Sequence, residues 1–373
     1  MTHALYHSIS ISQTCYTQIK FERSNLNMKQ RLLLGGYTRH GGAGVYAGTF
    51  DNDEAHLPTP APFITDLGSP TYLAVSDDNI LYAVDAEGDQ GGVAAYDLNV
   101  DPPRLINKVL QAGSSPAHIS IDANRQLVYA SNYHEGRINV YRIKNDHGLA
   151  LTDEVKHTGN GPRPEQDSAH VHFAAVTPDF QRLAVVDLGN DTLTTYAVSD
   201  AGKLSDPVIF HTEPGFGPRH LAFNHNNPIA YLLGELSSQV SILNYDAATG
   251  QFKLIATLPT IPEDYTDHNG AAAIRLSSDQ RFLYVSNRGH NSITVFAVSP
   301  DGRNLSELQQ ISTAGDFPRD FNFDLTEHFI LVVNQNSSNG TLYSRDAKTG
   351  LLTEIQRDIP TPEAVNVLFL SAK

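Results

Sequence analysis

Six segments of this 373-residue chain end a run rich in Leu, Val and Tyr on a polar residue: Asp85 in LYAVD, Asn132 in VYASN, Asp187 in LAVVD, Glu235 in YLLGE, Asn287 in LYVSN and Asn334 in ILVVN. The successive spacings are 47, 55, 48, 52 and 47 residues. Between these runs lie turn sequences such as Ser76-Asp77, Pro300-Asp301-Gly302 and Asp246–Gly250, which suit hairpins rather than helices. One period divides into Ala272–Leu276, Arg281–Ser286, Ser292–Val298 and Ser306–Ser312. Four short strands repeated at this interval are the pattern of propeller blades. A seventh blade is assembled from both ends, Arg31–Phe50 supplying strands and Ala364–Leu370 returning to complete it. Such closure leaves no long open sheet edge. The expected fold is all-β: a seven-bladed β-propeller of four-stranded blades, closed by N- and C-terminal strands in one blade, with residues 28–373 as a single domain.

Residues 1–27 fall outside the repeat and contain Cys15, the only cysteine. Glu22-Arg23-Ser24 can be encoded by a purine-rich, ribosome-binding stretch just before Met28, so Met28 is the expected start and 1–27 a non-core leader. A single thiol excludes a disulfide framework and a cysteine zinc cluster. No run approaches the roughly eighteen apolar residues of a membrane helix, and the N-terminus lacks a signal-peptide pattern, so a cytoplasmic protein is expected. The net charge of −15 argues against nucleic-acid or anionic-membrane partners.

In an antiparallel blade, the start of the innermost strand and the end of the second strand share one edge of the sheet. His118, His170, His172, Arg219, His220, Arg319 and Asp320 start innermost strands, and the six polar residues above end second strands. Both sets therefore converge on one mouth of the ring, a pocket by topology. Two long connections, Thr158–Asp167 and Pro259–Asn269, are placed to roof it. Arg163, Arg219, Arg288 and Arg319 on the rim of so acidic a chain point to a small anionic ligand, since the guanidinium fork suits carboxylate or phosphate. Glu235 is the only Glu among the strand ends, and beside Arg219 it is a candidate general acid or base. Of His170 and His172, one is expected in the channel and the other is structural. There is no Gly-x-Ser-x-Gly elbow, zinc-protease helix, Walker loop or dinucleotide-binding glycine pattern.

Longer motifs carry a resemblance: LLLGGYT at 32–38, ASNYHEGRINVY at 130–141, AHVHFAAVTPD at 169–179, VVDLGNDTL at 185–193, GPRHLAF at 217–223, GELSS at 234–238, YVSNRGHNSITVF at 284–296, DFPRDF at 316–321 and VVNQNS at 332–337. In these the chain resembles the seven-bladed propeller lactonases typified by bacterial 6-phosphogluconolactonase and related to fungal 3-carboxymuconate-lactonising enzymes. The resemblance implies hydrolysis of 6-phospho-D-glucono-1,5-lactone in the pentose phosphate pathway. It implies a functional set of His172 or His170, Arg219, Glu235 and Arg288.

The mechanism expected from these residues needs no cofactor, metal or covalent nucleophile, because a δ-lactone is already reactive toward a positioned water. Glu235 or His172 takes the water proton, Arg219 stabilises the oxyanion, and Arg288 with Arg319 or Arg163 holds the phosphate. His170, His220, Asp187, Asn132, Asn287 and Gln335 complete substrate binding, and the protein is a monomer or weak homodimer. Three rivals use the same mouth. One is a lactonising cycloisomerase, another a non-catalytic scaffold with an apolar rim. The third is a lactonase with a hard cation held by Glu235, Asp187, Asn132, Asn287 and Asn334.

Overall fold

The computed structural model describes residues 29–372. The expectations for the 1–27 leader, Cys15 and a start at Met28 lie outside the described residues.

Seven four-stranded antiparallel sheets are arranged as blades. Blade 1 closes the ring: its innermost strand is the C-terminal Ala364–Ser371, followed outward by Lys29–Gly36, Val45–Asp51 and Ala61–Ile64. Leu32 pairs with Phe369 and Leu34 with Val367 across this junction. The other six blades each use four consecutive strands. Blade 6, for example, comprises Gly270–Leu276, Phe282–Arg288, Ser292–Val298 and Leu305–Ser312, within a few residues of the expected division.

The apolar core consists of seven clusters, one at each seam between neighbouring blades. Leu34, Phe50 and Val367 of blade 1 meet Leu331 and Leu342 of blade 7, whereas Leu33 and Val45 meet Leu81 and Tyr96 of blade 2. Successive residues of one strand thus supply opposite seams, as the two-residue period of a pleated strand demands. Phe50 is fully buried, with Phe329 at 5.2 Å and Phe369 at 5.8 Å between ring centroids.

The turns also join blades. Tyr231 Oη donates to the carbonyl of Gly302 at 2.9 Å, and Tyr284 Oη to that of Gly350 at 2.7 Å, each reaching the turn of the next blade. Both glycines have positive φ, 72° and 76°, which a Cβ would strain. The glycine carbonyl also satisfies a tyrosine hydroxyl that burial would otherwise leave unpaired.

Ladder pairing slips at the start of several innermost strands. In blade 4 the register passes from Val171 to Phe173, in blade 5 from Pro218 to His220, and in blade 7 from Pro318 to Asp320. The skipped residues are His172, Arg219 and Arg319. A bulge releases one residue from the ladder and re-aims its side chain. No helix of the described residues is long and apolar enough to cross a membrane.

Candidate active site

Two adjoining cavities open on the face where the innermost strands begin. The first, about 400 Å³, is lined by Arg163 and Glu165 of one long connection, Ile261, Asp267, His268 and Asn269 of the other, and Ser237 and Phe317. The second, about 450 Å³, is lined by Tyr37, Arg39, Thr71, Ser114, Ser115, Tyr133, His134, His172 and Arg319. Glu235 and Arg288 line both. They form the wall between two lobes of one mouth, each of a size that suits a small ligand.

Glu235 follows the second strand of blade 5, Ile229–Gly234, and its carboxylate lies between two guanidinium groups. Arg288 Nη2 is 2.8 Å from Oε1 and Arg219 Nε is 2.9 Å from Oε2. The second contact is a charge contact, since Arg219 Nε is not aligned as a hydrogen-bond donor. Burial pushes the Glu235 carboxyl up, but Arg288 and Arg219 outweigh it, and the net result is below the ordinary 4.5. Glu235 is therefore ionised at neutral pH. Arg288 is itself held by the carbonyls of Gly270, at 3.0 Å from Nε, and Ala271, at 3.3 Å from Nη2. It lies 4.9 Å from the centroid of the Phe317 ring. Phe317 has φ 68°, a costly conformation for a bulky side chain, and its N–H donates to Asn291 Oδ1 at 3.0 Å.

Arg219 is placed differently from the expectation. It lies beneath the mouth, 3% exposed, and lines a small hollow of about 10 Å³ with Tyr72, His220, Arg319 and Asp320 instead of either lobe. Its Nη1 donates to the carbonyl of Ala272 and to His220 Nε2, the latter at 3.2 Å. Burial first and then Arg288 press its pKa down to about 9, so it remains charged at neutral pH. This geometry makes Arg219 a support for Glu235 rather than a group facing an oxyanion in the lobes.

His172 lines the second lobe, and its Nδ1 is buried without a hydrogen-bond partner. Burial, then Arg219, Arg319 and Arg288, hold its pKa well below 6.5, so the ring is neutral. His170 turns elsewhere: its ring stacks on Tyr133 at 4.3 Å, Nδ1 meets the Tyr133 carbonyl at 3.0 Å, and Nε2 meets Asp167 Oδ1 at 3.0 Å. Residues two apart on a regular strand share a face, so strand alternation does not separate this pair. The bulge at His172 and the placement of His170 just before the strand do. His220 reaches only the deep hollow, accepting from Arg219, with its ring 5.2 Å from that of His172 and 5.7 Å from that of His118.

Three further expectations are corrected. Asp187, fully buried, accepts through Oδ1 from the N–H groups of His170, Gly189 and Asn190 at 2.7, 3.0 and 3.3 Å, and its Oδ2 meets His157 Nδ1 at 2.9 Å. Asn132 donates to the Ser114 carbonyl at 2.6 Å and accepts from the Glu135 N–H at 3.1 Å. Asn287 Nδ2 donates to the Thr260 carbonyl at 2.9 Å, and its Oδ1 accepts from Thr260 Oγ1 at 2.8 Å. None of the three lines either lobe. Each satisfies polar groups of the loops at this end of its blade, a local demand that any tight loop makes. Gln335 also lies outside the lobe walls, where its Oε1 accepts from Arg319 Nη1 at 3.3 Å. Of the oxygen donors considered for a cation, Glu235, Asp187, Asn132 and Asn287 are thus occupied separately, whereas Asn334 Oδ1 is buried without a hydrogen-bond partner. Among the described residues no three His, Cys, Asp or Glu side chains gather as a metal site.

Sequence reasoning missed Tyr37 and Arg39. Tyr37 stands inside the quoted LLLGGYT motif, and Arg39 follows two residues later, but neither begins an innermost strand.

Comparison with known proteins agrees with this architecture. The chain is 39% identical over 341 residues to a Bacillus subtilis protein named 6-phosphogluconolactonase, covering 90% of this chain and 97% of that one. A crystal structure of a Lactobacillus plantarum protein superposes with a TM-score of 0.90 at 51% identity, covering 92% of this chain and all of that one. The Pseudomonas aeruginosa periplasmic gluconolactonase PpgL superposes with a TM-score of 0.86 at 30% identity, covering 92% and 99% of the two chains. Residues 31–369 match one family along nearly the whole ring, and with its blades, closure and lobed mouth the chain belongs to the lactonase, 7-bladed beta-propeller family.

Proposed function

We propose that the protein hydrolyses 6-phospho-D-glucono-1,5-lactone to 6-phosphogluconate. The observation that carries this reading is the ionised Glu235 carboxylate paired with Arg288 on the wall between the lobes, with neutral His172 lining the same second lobe. The name of the Bacillus subtilis relative supports the phosphorylated substrate.

The lactone carbonyl is directed at Arg288. A water between Glu235 and C1 adds its oxygen to the carbonyl carbon, and its proton passes to the carboxylate. Charge develops on the carbonyl oxygen, where Arg288 stabilises it. Drawing Arg288 toward the oxyanion weakens its hold on Glu235 and raises the basicity of the carboxylate as the proton arrives. When the tetrahedral intermediate collapses, the C1–ring-oxygen bond breaks and the ring oxygen takes a proton back from Glu235, giving the open hydroxy acid. Neutral His172 hydrogen-bonds the reacting centre. Thr71, Ser114 and Ser115, which line the lobe, take over the recognition of sugar hydroxyls expected from Asp187, Asn132 and Asn287. A phosphorylated sugar does not cross a membrane unaided, so this reading places the enzyme in the cytoplasm.

The test is a lactone-opening assay on 6-phosphogluconolactone, gluconolactone and a carboxymuconate lactone. Rapid opening of the first supports the reading. Turnover of the carboxymuconate alone would make the chain a lactonising cycloisomerase, and inertness toward all three would leave a binding scaffold.

A further inference from the structure

Charge is divided unequally between the two lobes. The first carries Glu165 and Asp267 against Arg163, apart from the shared Glu235 and Arg288. The second adds Arg39 and Arg319 and no carboxylate of its own. Among the described residues neither of these arginines is ion-paired. In a chain with 41 acidic and 26 basic residues, two unpaired guanidinium groups on one cavity wall are a built electrostatic demand for an anion.

The wall is held in place. Arg39 Cζ lies 4.2 Å from the centre of the Tyr37 ring and Arg319 Cζ 5.6 Å from it, so one aromatic ring brings both cations to the same patch. Gln335 steadies Arg319 through the contact at Nη1. The loop carrying Arg39 is fastened by Glu363, whose Oε2 accepts from the backbone N–H groups of Arg39, His40 and Gly42 at 3.0, 2.7 and 3.0 Å. The Tyr37 N–H also donates to the Glu363 carbonyl at 3.1 Å. Gly42 is required in this turn, because a Cβ there would stand 1.9 Å from the Tyr37 carbonyl oxygen.

We propose that Arg39 and Arg319, set on Tyr37, form the subsite for a phosphate monoester on the substrate and give the enzyme its preference for phosphorylated over plain sugar lactones. The inference rests on the lactonase reading and deepens it. In a 6-phosphorylated 1,5-lactone, the carbon bearing the phosphate hangs on C5, which is joined to the reacting C1 through the ring oxygen. The phosphate therefore sits within about a ring's width of the reacting carbonyl; Glu235 and Arg288 border both lobes, and the second alone adds His172 and the two free guanidinium groups. Glu363 is a positioning residue, acting through the backbone of the Arg39 loop.

Calorimetric titration of the full-length protein with 6-phosphogluconate, gluconate and inorganic phosphate tests this without relying on turnover. The wild type is expected to bind 6-phosphogluconate about tenfold or more tightly than gluconate, and Arg39→Gln or Arg319→Gln to shrink that preference about tenfold. Arg163→Gln, in the other lobe, is expected to keep it. Arg39 is exposed, so its variant should fold whatever becomes of the Arg319 variant. The proposal is overturned if the wild type shows no preference, if neither variant alters it, or if only Arg163→Gln removes it. Inorganic phosphate binding as tightly as 6-phosphogluconate would also overturn it, marking a free-phosphate site. A protein that prefers 6-phosphogluconate but fails to open its lactone retains this subsite and loses the proposed reaction.

Discussion

Arg288 Nη2 and Glu235 Oε1 lie 2.8 Å apart on the wall between the two lobes, so the carboxylate proposed as base and the guanidinium proposed to stabilise the oxyanion are already paired. Glu235→Gln keeps the shape and removes the proton acceptor. Its kcat for lactone opening is expected to fall by about two to four powers of ten. A steady-state assay checks this, and full activity in the variant would end the role assigned to Glu235.

The pH profile follows from the same pair. The Glu235 carboxyl is held below 4.5, so it stays ionised down to pH values under that figure. The acid limb of kcat/KM should therefore lie below 4.5. The stability contributed by the ionised carboxylate is complete above 4.5 and is lost as pH falls through the depressed value. Arg219→Met removes one of the cations responsible, and should move the acid limb to higher pH. A limb that stays in place would separate Arg219 from Glu235.

Three buried histidines give stability the same direction of pH dependence in a higher range. Burial, reinforced by neighbouring cations, lowers His118 to about 3 and holds His172 and His220 well below 6.5. The unfolded chain takes up these protons near 6.5 while the folded chain does not, so stability falls as pH drops below 6.5. With three such groups the slope approaches about 4 kcal/mol per pH unit. Denaturant titrations between pH 7 and 5 measure it, and His118→Gln should reduce the slope by about a third.

Asp187 is expected to govern stability. Asp187→Ala leaves three backbone N–H groups and His157 without their acceptor, at a cost of about 3 kcal/mol or more. The melting temperature should fall while KM of the remaining folded enzyme changes by less than about threefold. A large rise in KM with unchanged melting would restore Asp187 to substrate binding.

Closure of the ring is carried by packing as well as by the ladder. Phe50→Ala empties the seam between blades 7 and 1 and should cost about 3–5 kcal/mol. Differential scanning calorimetry reads this directly.

A strong chelator should leave lactone opening unchanged. The side-chain oxygens of Asp187, Asn132 and Asn287 are each bound to separate loops. Loss of activity restored by Ca²⁺ would contradict that.

Much of this protein was legible in its one-dimensional pattern. A period near fifty residues of short apolar runs permits few solutions, because each blade can bury its two faces only against neighbours, and a ring provides two neighbours for every blade. Strand order then placed the starts of innermost strands and the ends of second strands on one face. Glu235, Arg288, His172 and Arg319 could be located there without coordinates.

Position along a strand determines which end of a sheet a residue occupies, but not where its side chain is aimed. His172 and His170 were separated by a bulge, and Arg219 was drawn beneath the mouth by His220 and the Ala272 carbonyl. Asp187, Asn132 and Asn287 were claimed by polar groups of the loops gathered at their end of the blade, a demand that depends on loop conformation. Arg39 reached the second lobe because Glu363, 324 positions away in the chain, fastens its loop. Hydrogen-bond competition and ring closure act between residues that only folding brings together, and those decided which side chains line the two lobes.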